Sequence, residues 1–227
     1  MKKMLLLALL LIGTNMVKAQ ETFFPTREGT ELVYKMFDKK DKLISMMRYT
    51  ITHIRTDGDD MEITYQVASM NSKEEIQYKE EVTIYKKGDK MIVDMGNFIN
   101  KAAFQQDGEM PPNIEITGNQ MEIPISPQPG TLLPDAKVEM ALKMGFINLK
   151  LATNITNRRV EKVEDISVPA GIFACYKFTS DVTSTVMGKK VNSSLVEWYA
   201  KGIGVIKSEN YDKQGKLESY MVLAELK

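Results

Sequence analysis

The feature that most constrains the fold of this chain is a run of strand-length segments over residues 168–226, joined by short turns. Pro169 cannot donate a hydrogen bond to a β-ladder and Gly171 tolerates positive φ, so the backbone is expected to turn there before a new strand begins. In residues 172–187 apolar side chains recur with a period of two, as they do in β-strands. This region therefore predicts β-structure, and it names no reaction.

The next predicted strand carries Trp198, the only tryptophan of the chain, and leads into two glycines. Gly202 and Gly204 lie where a β-rich chain can bend, bulge or let another backbone approach closely. These two glycines, like Pro169 and Gly171, are interpreted as fold-determining residues.

The N-terminus has the pattern of a signal peptide. Lys2 and Lys3 precede an apolar run over residues 4–12, and the small residue Ala19 ends a typical cleavage site. The apolar run has about half of the roughly 20 residues that a membrane-spanning helix needs. The sequence predicts a signal peptide at residues 1–19, and then a single β-rich domain at residues 20–227.

Cys175 is the only cysteine of the chain. It cannot close an intramolecular disulfide, so the mature domain must be held together by its core. This favours the periplasm or the exterior of a Gram-negative bacterium over an animal extracellular space. Because no cysteine stands at the cleavage point, the sequence argues against the lipid anchor of a bacterial lipoprotein.

The overall charge is balanced. The chain has 30 basic and 30 acidic residues, and removal of residues 1–19 leaves 27 basic against 30 acidic residues, a formal charge of −3. This balance gives no electrostatic reason to expect binding to nucleic acid or to an anionic membrane surface. Local charge runs such as Arg158 and Arg159 are interpreted as solvated strand ends or edge guards. No transmembrane anchor is predicted after the signal peptide.

Strand and turn signals continue through the N-terminal half. Turn residues such as Gly58 and Gly88 separate predicted strands at residues 31–37, 43–56, 61–67, 76–86 and 91–95. Consecutive strands of this kind pair as a meander of antiparallel neighbours. The strands are long, and long strands twist and coil. We therefore expect an all-β fold, a single curved antiparallel meander that forms a half-barrel or an open barrel.

The pattern changes after residue 96. Apolar side chains at helical spacing predict one short helix over residues 97–105. Residues 114–116 and 121–123 flank Thr117-Gly118-Asn119-Gln120, a pattern that predicts a small hairpin. The prolines and the glycine of residues 124–130 predict a crossing loop.

Residue types that carry catalysis or bind metals are scarce. His53 is the only histidine, and one histidine with one cysteine cannot supply a typical zinc site or a nucleophile with its base. Asp57, Asp59 and Asp60 lie in a predicted turn that lacks the ligand spacing of a calcium loop. We therefore expect no cofactor and no enzymatic activity. A hydrolase whose carboxylates converge only in the fold is the least favoured alternative.

Apolar side chains in the C-terminal half are candidates for a ligand-binding face. Methionine adapts to irregular shapes, and the terminal strand is apolar on both sides, unlike a strand with one face in water. A loosely specified core explains the same pattern. The candidate residues for an apolar ligand face are Met140, Met144, Tyr176, Phe178, Trp198, Tyr220 and Val222.

Two segments resemble a known group of proteins. The sequences VPAGIFACYK at residues 168–177 and EWYAKGIGVIK at residues 197–207 are similar to secreted bacterial proteins called TapB-like. The resemblance covers the last third of the chain. It implies a half-barrel envelope protein without an accepted active site, so it transfers no catalytic residue.

Our leading hypothesis is a non-enzymatic secreted or periplasmic envelope protein. It would bind a hydrophobic or amphipathic molecule, or the exposed strand of a partner protein, on the concave face of the sheet. The alternative is a structural or adhesion-type module whose own loops close its core. An apolar cavity under the helix would discriminate between the two.

Overall fold

The computed structural model describes residues 22–98, 114–144 and 147–227. The predicted signal peptide and residues 99–105 of the predicted helix lie outside these ranges. A 3-10 helix spans Met95–Phe98. No helix in the described ranges is long and apolar enough to cross a membrane.

One 13-stranded antiparallel sheet contains all the strands of the described residues, which confirms the predicted all-β fold. Its strands are β1 (Glu31–Asp38), β2 (Leu43–Asp57), β3 (Asp60–Asn71), β4 (Ile76–Lys87), β5 (Lys90–Asp94), β6 (Ile114–Gly118), β7 (Gln120–Pro124), β8 (Ala136–Met144), β9 (Ile147–Val168), β10 (Gly171–Val186), β11 (Lys189–Ala200), β12 (Gly204–Asp212) and β13 (Leu217–Leu226).

Two meanders are joined where the terminal strand meets the first one. Strands β1 to β5 are sequential neighbours, as are β8 to β13, and β13 pairs with β1. The register pairs Leu32 with Leu226 and Tyr34 with Leu223, with a bulge between Val33 and Tyr34. The first and last strands of the domain therefore support each other in the middle of the sheet.

The predicted hairpin of residues 114–123 is wrong. Strand β6 pairs with β8 and β7 pairs with β5, so the two short strands lie at opposite edges of the sheet. Asn119, the single residue between them, is hydrogen-bonded to both sides: its N–H donates to the carbonyl of Lys137 and its own carbonyl accepts from Met95. The segment therefore crosses from one edge to the other, and the sheet is a nearly closed barrel.

The largest hydrophobic cluster fills the barrel interior. Its members come from strands that are far apart in the sheet, and they can meet only because the sheet curls round on itself. Fully buried examples from five different strands are Ile51, Ile63, Met91, Val138 and Val160.

A second hydrophobic cluster explains why the terminal strand, β13, is apolar on both sides. Leu223 on β13 is buried with Leu32, Trp198 and Ile206. The turn between β9 and β10 packs against this cluster through Ala170, whose N–H donates to the carbonyl of Leu223 at 3.4 Å. Parts of the same chain therefore cover this strand.

Gly204 is a point of close approach at the start of β12. Its φ is +109°, and a Cβ there would lie 3.4 Å from the carbonyl oxygen of Phe23. The N–H of Gly202 donates to the carbonyl of Thr22 at 2.8 Å. The N-terminal segment of the described chain therefore packs against the turn around Ile203.

Pro169 and Gly171 lie in the β9–β10 turn, at the same end of the C-terminal meander as Gly204. Gly171, with φ of +142°, is paired with Val168, so Pro169 and Ala170 form a two-residue turn between β9 and β10. A proline is acceptable there because its missing N–H is not required by the ladder.

Candidate functional site

Three polar side chains from β9 and β11 lie together in the largely apolar interior of the barrel. The guanidinium of Arg158 is buried and donates to two backbone carbonyls, through Nη1 to Pro134 at 2.6 Å and through Nη2 to Glu122 at 3.1 Å. Beside it, the hydroxyl of Tyr199 donates to Oε1 of Glu197 at 3.3 Å. We call Arg158, Glu197 and Tyr199 the polar cluster.

Burial sets the electrostatics of the polar cluster. It raises the pKa of Glu197 to about 7, against the opposing effects of the Tyr199 hydrogen bond and the Arg158 charge. It also lowers the pKa of Arg158 and raises that of Tyr199. Oε2 of Glu197 accepts no hydrogen bond from the described residues, so this half-buried carboxyl group has an acceptor available.

The polar cluster lines a small cavity of about 50 Å³. A cavity of this size holds a water molecule or the end group of a ligand. We call it the inner cavity. Its other lining residues are Met121, Ile123, Leu133, Ile155, Phe178, Thr179, Ser180 and Leu195.

The wall beside the inner cavity is interrupted by a β-bulge between β9 and β10. Thr179 pairs with Arg159 and Asp181 with Thr156, so Ser180 faces two residues of β9 instead of one. Asn157, one of these two, has φ of +51°. Bulges of this kind break a ladder locally and redirect side chains.

A groove of about 540 Å³ lies on the other side of this wall. Its β9 residues, Asn157, Arg159 and Glu161, alternate with the buried Arg158 and Val160, so the groove is on the outer face of the sheet. We call it the outer groove. Thr179, Ser180 and Leu195 line both the inner cavity and the outer groove. Only the bulged ladder therefore separates the two spaces.

The outer groove has an apolar rim and a polar floor. Its apolar lining includes Val196 and Leu132, which is 75% exposed. The polar groups bond to one another: Arg159 Nε lies 3.0 Å from Glu161 Oε1, and Asn157 Nδ2 donates to Asp181 Oδ2 at 2.7 Å. Such a surface matches a molecule with both apolar and polar parts.

The N-terminal segment occupies the interior next to the polar cluster. Phe23 is fully buried, and its ring contacts those of Tyr176, Phe178 and Tyr199 at centroid distances of 5.5, 6.1 and 5.9 Å. The ammonium of Lys201 lies 5.3 Å from the Phe23 ring centroid. The concave face is therefore largely filled by the chain itself.

The structure brings together only two of the residues predicted to form an apolar ligand face. Tyr176 and Phe178 meet around Phe23, whereas Met140 is buried on β8. The side chain of Met144 lies outside the described residues.

The other three predicted face residues lie elsewhere. Tyr220 stacks on Phe37 with ring centroids 5.1 Å apart. Val222 faces Lys207 across the ladder, as does Trp198. Their role in ligand binding stays a prediction.

Trp198, a member of the second hydrophobic cluster, also has polar neighbours on the face opposite the polar cluster. Its Nε1 donates to Oε1 of Glu164 at 3.0 Å, and the ammonium groups of Lys177 and Lys207 lie 5.5 and 5.3 Å from its ring. Only 7% of the side chain is exposed. These contacts hold the indole in place, and they leave little of it for another molecule.

The residues considered for catalysis or metal binding are separated in space. Nδ1 of the exposed His53 lies 3.4 Å from Oε1 of Glu28. Cys175 is buried, its thiol donates to the carbonyl of Phe173 at 3.3 Å, and burial raises its pKa to about 11. In the described ranges, no three His, Cys, Asp or Glu side chains are grouped so that they could hold a metal ion.

Sequence reasoning missed the polar cluster. Arg158 was expected to be solvated, but it is 6% exposed. Alternation along β9 puts Arg158 on the opposite face from the outward-facing Arg159, and no property of the arginine pair predicts which of the two is buried. Glu197 lies between Val196 and Trp198 on β11, and its side chain points to the face opposite theirs. This alternation is the one local signal that could have placed Glu197 on the inner face.

These features define a class of protein: a nearly closed antiparallel β-barrel with a filled interior. Two crystal structures have this fold. A protein from Bacteroides fragilis, inferred to be exported and to have a YmcC-like fold, matches with a TM-score of 0.77 and 21% identity, over 90% of this chain and 98% of that one. A protein from Parabacteroides distasonis, inferred to be a lipoprotein, matches with a TM-score of 0.76 and 28% identity over the same shares.

The chain belongs to the DUF3108-like family, whose model matches residues 27–223. No curated protein matches the sequence. The comparisons do not confirm the TapB-like name, although they agree with the expected curved-sheet envelope protein. Neither the family description nor the names of the two structures specify a catalytic activity.

Proposed function

We propose that this protein is a non-enzymatic exported protein of the Gram-negative envelope, and that it binds a small amphipathic molecule in the outer groove. The apolar part of the ligand would lie against Leu132, Leu195 and Val196. Its polar end, a hydrogen-bond donor such as an amine, would lie at the β9–β10 bulge, toward Glu161 and Asp181. An exported location is supported by the predicted signal peptide and by the descriptions of the two similar structures.

The observation that carries this proposal is that the outer groove combines the exposed Leu132 with the carboxylates of Glu161 and Asp181. The volume of the groove lies within the range of small-molecule sites. The carboxylates of Glu161 and Asp181 line the groove and can accept a hydrogen bond from a ligand there. The proposed site is on the outer face and not on the concave face, because Phe23 and its neighbours fill the concave face.

Binding is tested with 1-aminoanthracene, a fluorescent probe that has an apolar ring system and one amine. We expect its fluorescence to rise on addition of the mature protein. Leu132→Glu places a charge at the rim and should weaken probe binding about tenfold, because one apolar contact is lost. Glu161→Gln should also weaken it, because the amine of the probe then loses a charged acceptor in the groove.

The matched control is Val191→Glu, since Val191 is also exposed (59%) but lies outside the groove. It should bind the probe like the wild type. Lipid extracts of protein purified from a bacterial periplasm, analysed by mass spectrometry, should contain a molecule that displaces the probe. If the probe does not bind, or if Leu132→Glu and Val191→Glu weaken its binding equally, the groove is not a ligand site.

The second candidate function is a structural or adhesion-type module with a closed core. The filled interior favours it, since the ring of Phe23 packs against Tyr176, Phe178 and Tyr199 and the inner cavity beside it is small. This function requires no small molecule, so a wild-type protein that neither binds the probe nor carries a co-purified molecule would support it.

A further inference from the structure

The turn between β10 and β11 combines backbone strain with apolar exposure. Met187 and Gly188 connect the paired residues Val186 and Lys189, and both have positive φ, +49° and +79°. A two-residue turn of this kind favours asparagine, aspartate or glycine at its first position. Methionine is unfavourable there, because left-handed backbone conformations crowd its Cβ.

The side chains around this turn face solvent. Met187 is 70% exposed, Val191 59% and Val186 46%. Strand β12 begins to pair with β11 only at Ser193, so the end of the hairpin extends beyond its neighbour on that side. Backbone strain and an exposed apolar side chain are each unfavourable, and both are typical of residues that take part in binding.

The charges around the turn have one sign. Lys150, Lys189 and Lys190 are exposed, and the N–H of Met187 donates to the carbonyl of Lys150 at 3.2 Å. Residues 140–160 and 182–196 contain no aspartate or glutamate. On β12, the carboxylate of Asp212 opposite Ser193 accepts hydrogen bonds from the backbone of its own turn. The near-neutral charge of the whole chain therefore conceals a local cationic patch.

We propose that this hairpin end is a membrane-docking surface: Met187, Val186 and Val191 enter the interfacial region of an anionic phospholipid bilayer, while Lys150, Lys189 and Lys190 contact the headgroups. Apolar side chains surrounded by lysines are the combination that such an interface binds. Three lysines and a small apolar tip give weak, reversible binding. The site is independent of the outer groove and of the function proposed for it.

Flotation of the full mature protein tests the docking surface. With vesicles of phosphatidylglycerol and phosphatidylethanolamine at low ionic strength, the wild type should float, and it should not float with phosphatidylcholine alone. Lys189→Ser with Lys190→Ser should weaken binding about thirtyfold, because two headgroup attractions are lost. The control is Lys213→Ser with Lys216→Ser, which removes the same charge at the exposed β12–β13 turn and should float like the wild type.

Met187→Asn tests the apolar part. Asparagine suits the turn, so this variant should fold at least as stably as the wild type, while its binding falls about tenfold. Equal loss in both double-lysine variants, or unchanged binding of Met187→Asn, would overturn the proposal. So would a wild-type dimer that Met187→Asn abolishes together with flotation, since the partner would then be a second copy of the chain.

Discussion

Oδ1 of Asn119 accepts a hydrogen bond from the backbone N–H of Lys137 at 2.7 Å, and Nδ2 of the same side chain donates to the carbonyl of Asp135 at 2.9 Å. The Asn119 side chain therefore adds two hydrogen bonds to the backbone where the chain passes from β6 to β7. At the adjacent Gly118, a Cβ would lie only 2.6 Å from the carbonyl oxygen of Lys137. The closure of the barrel thus depends on a side-chain amide and on a close backbone contact.

We expect Asn119→Ala to lower the free energy of unfolding by about 1 to 2 kcal/mol, since two hydrogen bonds to backbone groups are lost at an exposed site. Urea denaturation measures the change. Asn192→Ala is the control, because Asn192 is also exposed and accepts one hydrogen bond, from Thr183. It should change stability by less than about 0.5 kcal/mol. Similar values for the two variants would show that Asn119 has no special part in closure.

Phe23→Ala should lower the free energy of unfolding by about 3 to 5 kcal/mol, because it removes a fully buried ring and leaves a cavity among Tyr176, Phe178 and Tyr199. Thermal or urea unfolding gives the value. Phe24→Ala should cost less, as Phe24 is only half-buried. If Phe23→Ala has the milder effect, the N-terminal segment is not a structural part of the interior.

Gly204→Ala should destabilise the protein by more than about 1 kcal/mol. Its φ of +109° is unfavourable for a residue with a Cβ, and the carbonyl of Phe23 lies close by. Gly202→Asn should be tolerated better, because φ there is +70° and a Cβ would meet nothing within 4 Å. The midpoints of chemical denaturation compare the two variants, and a more damaging Gly202→Asn would contradict this account.

Glu197 should make stability depend on pH between about 4.5 and about 7. Its pKa is raised from 4.5 to about 7 in the folded state, so the folded protein holds a proton that the unfolded chain releases. Stability contributed by this group is therefore present at low pH and is lost as pH rises through that interval. The difference in unfolding free energy between Glu197→Gln and the wild type should increase from pH 5 to pH 8. A difference that does not change with pH would show that the carboxyl group is well solvated.

The strand pattern was accessible from the sequence because it depends on local chemistry. Alternating side chains and turns such as the one at Gly58 predicted β1, β2, β4 and β5 to within a residue at each end, and β3 except for its last four residues. The same reasoning failed at residues 114–123. A short apolar segment, a glycine and a second apolar segment are compatible with a hairpin or with a crossing between two edges. The choice depends on hydrogen bonds to Lys137 and Met95, which are remote in sequence.

The candidate site, like the fold, could be predicted from the sequence only in part. The sequence alone determined an exported-type β-domain without a recognisable catalytic motif, because these properties follow from composition and periodicity. Only the tertiary structure decided that Arg158 is buried, that Glu197 faces a cavity and that Phe23 fills the concave face. Burial and the pKa shift that it causes depend on which strands meet across the barrel, and that is set by bulges and long-range pairing that no local pattern specifies.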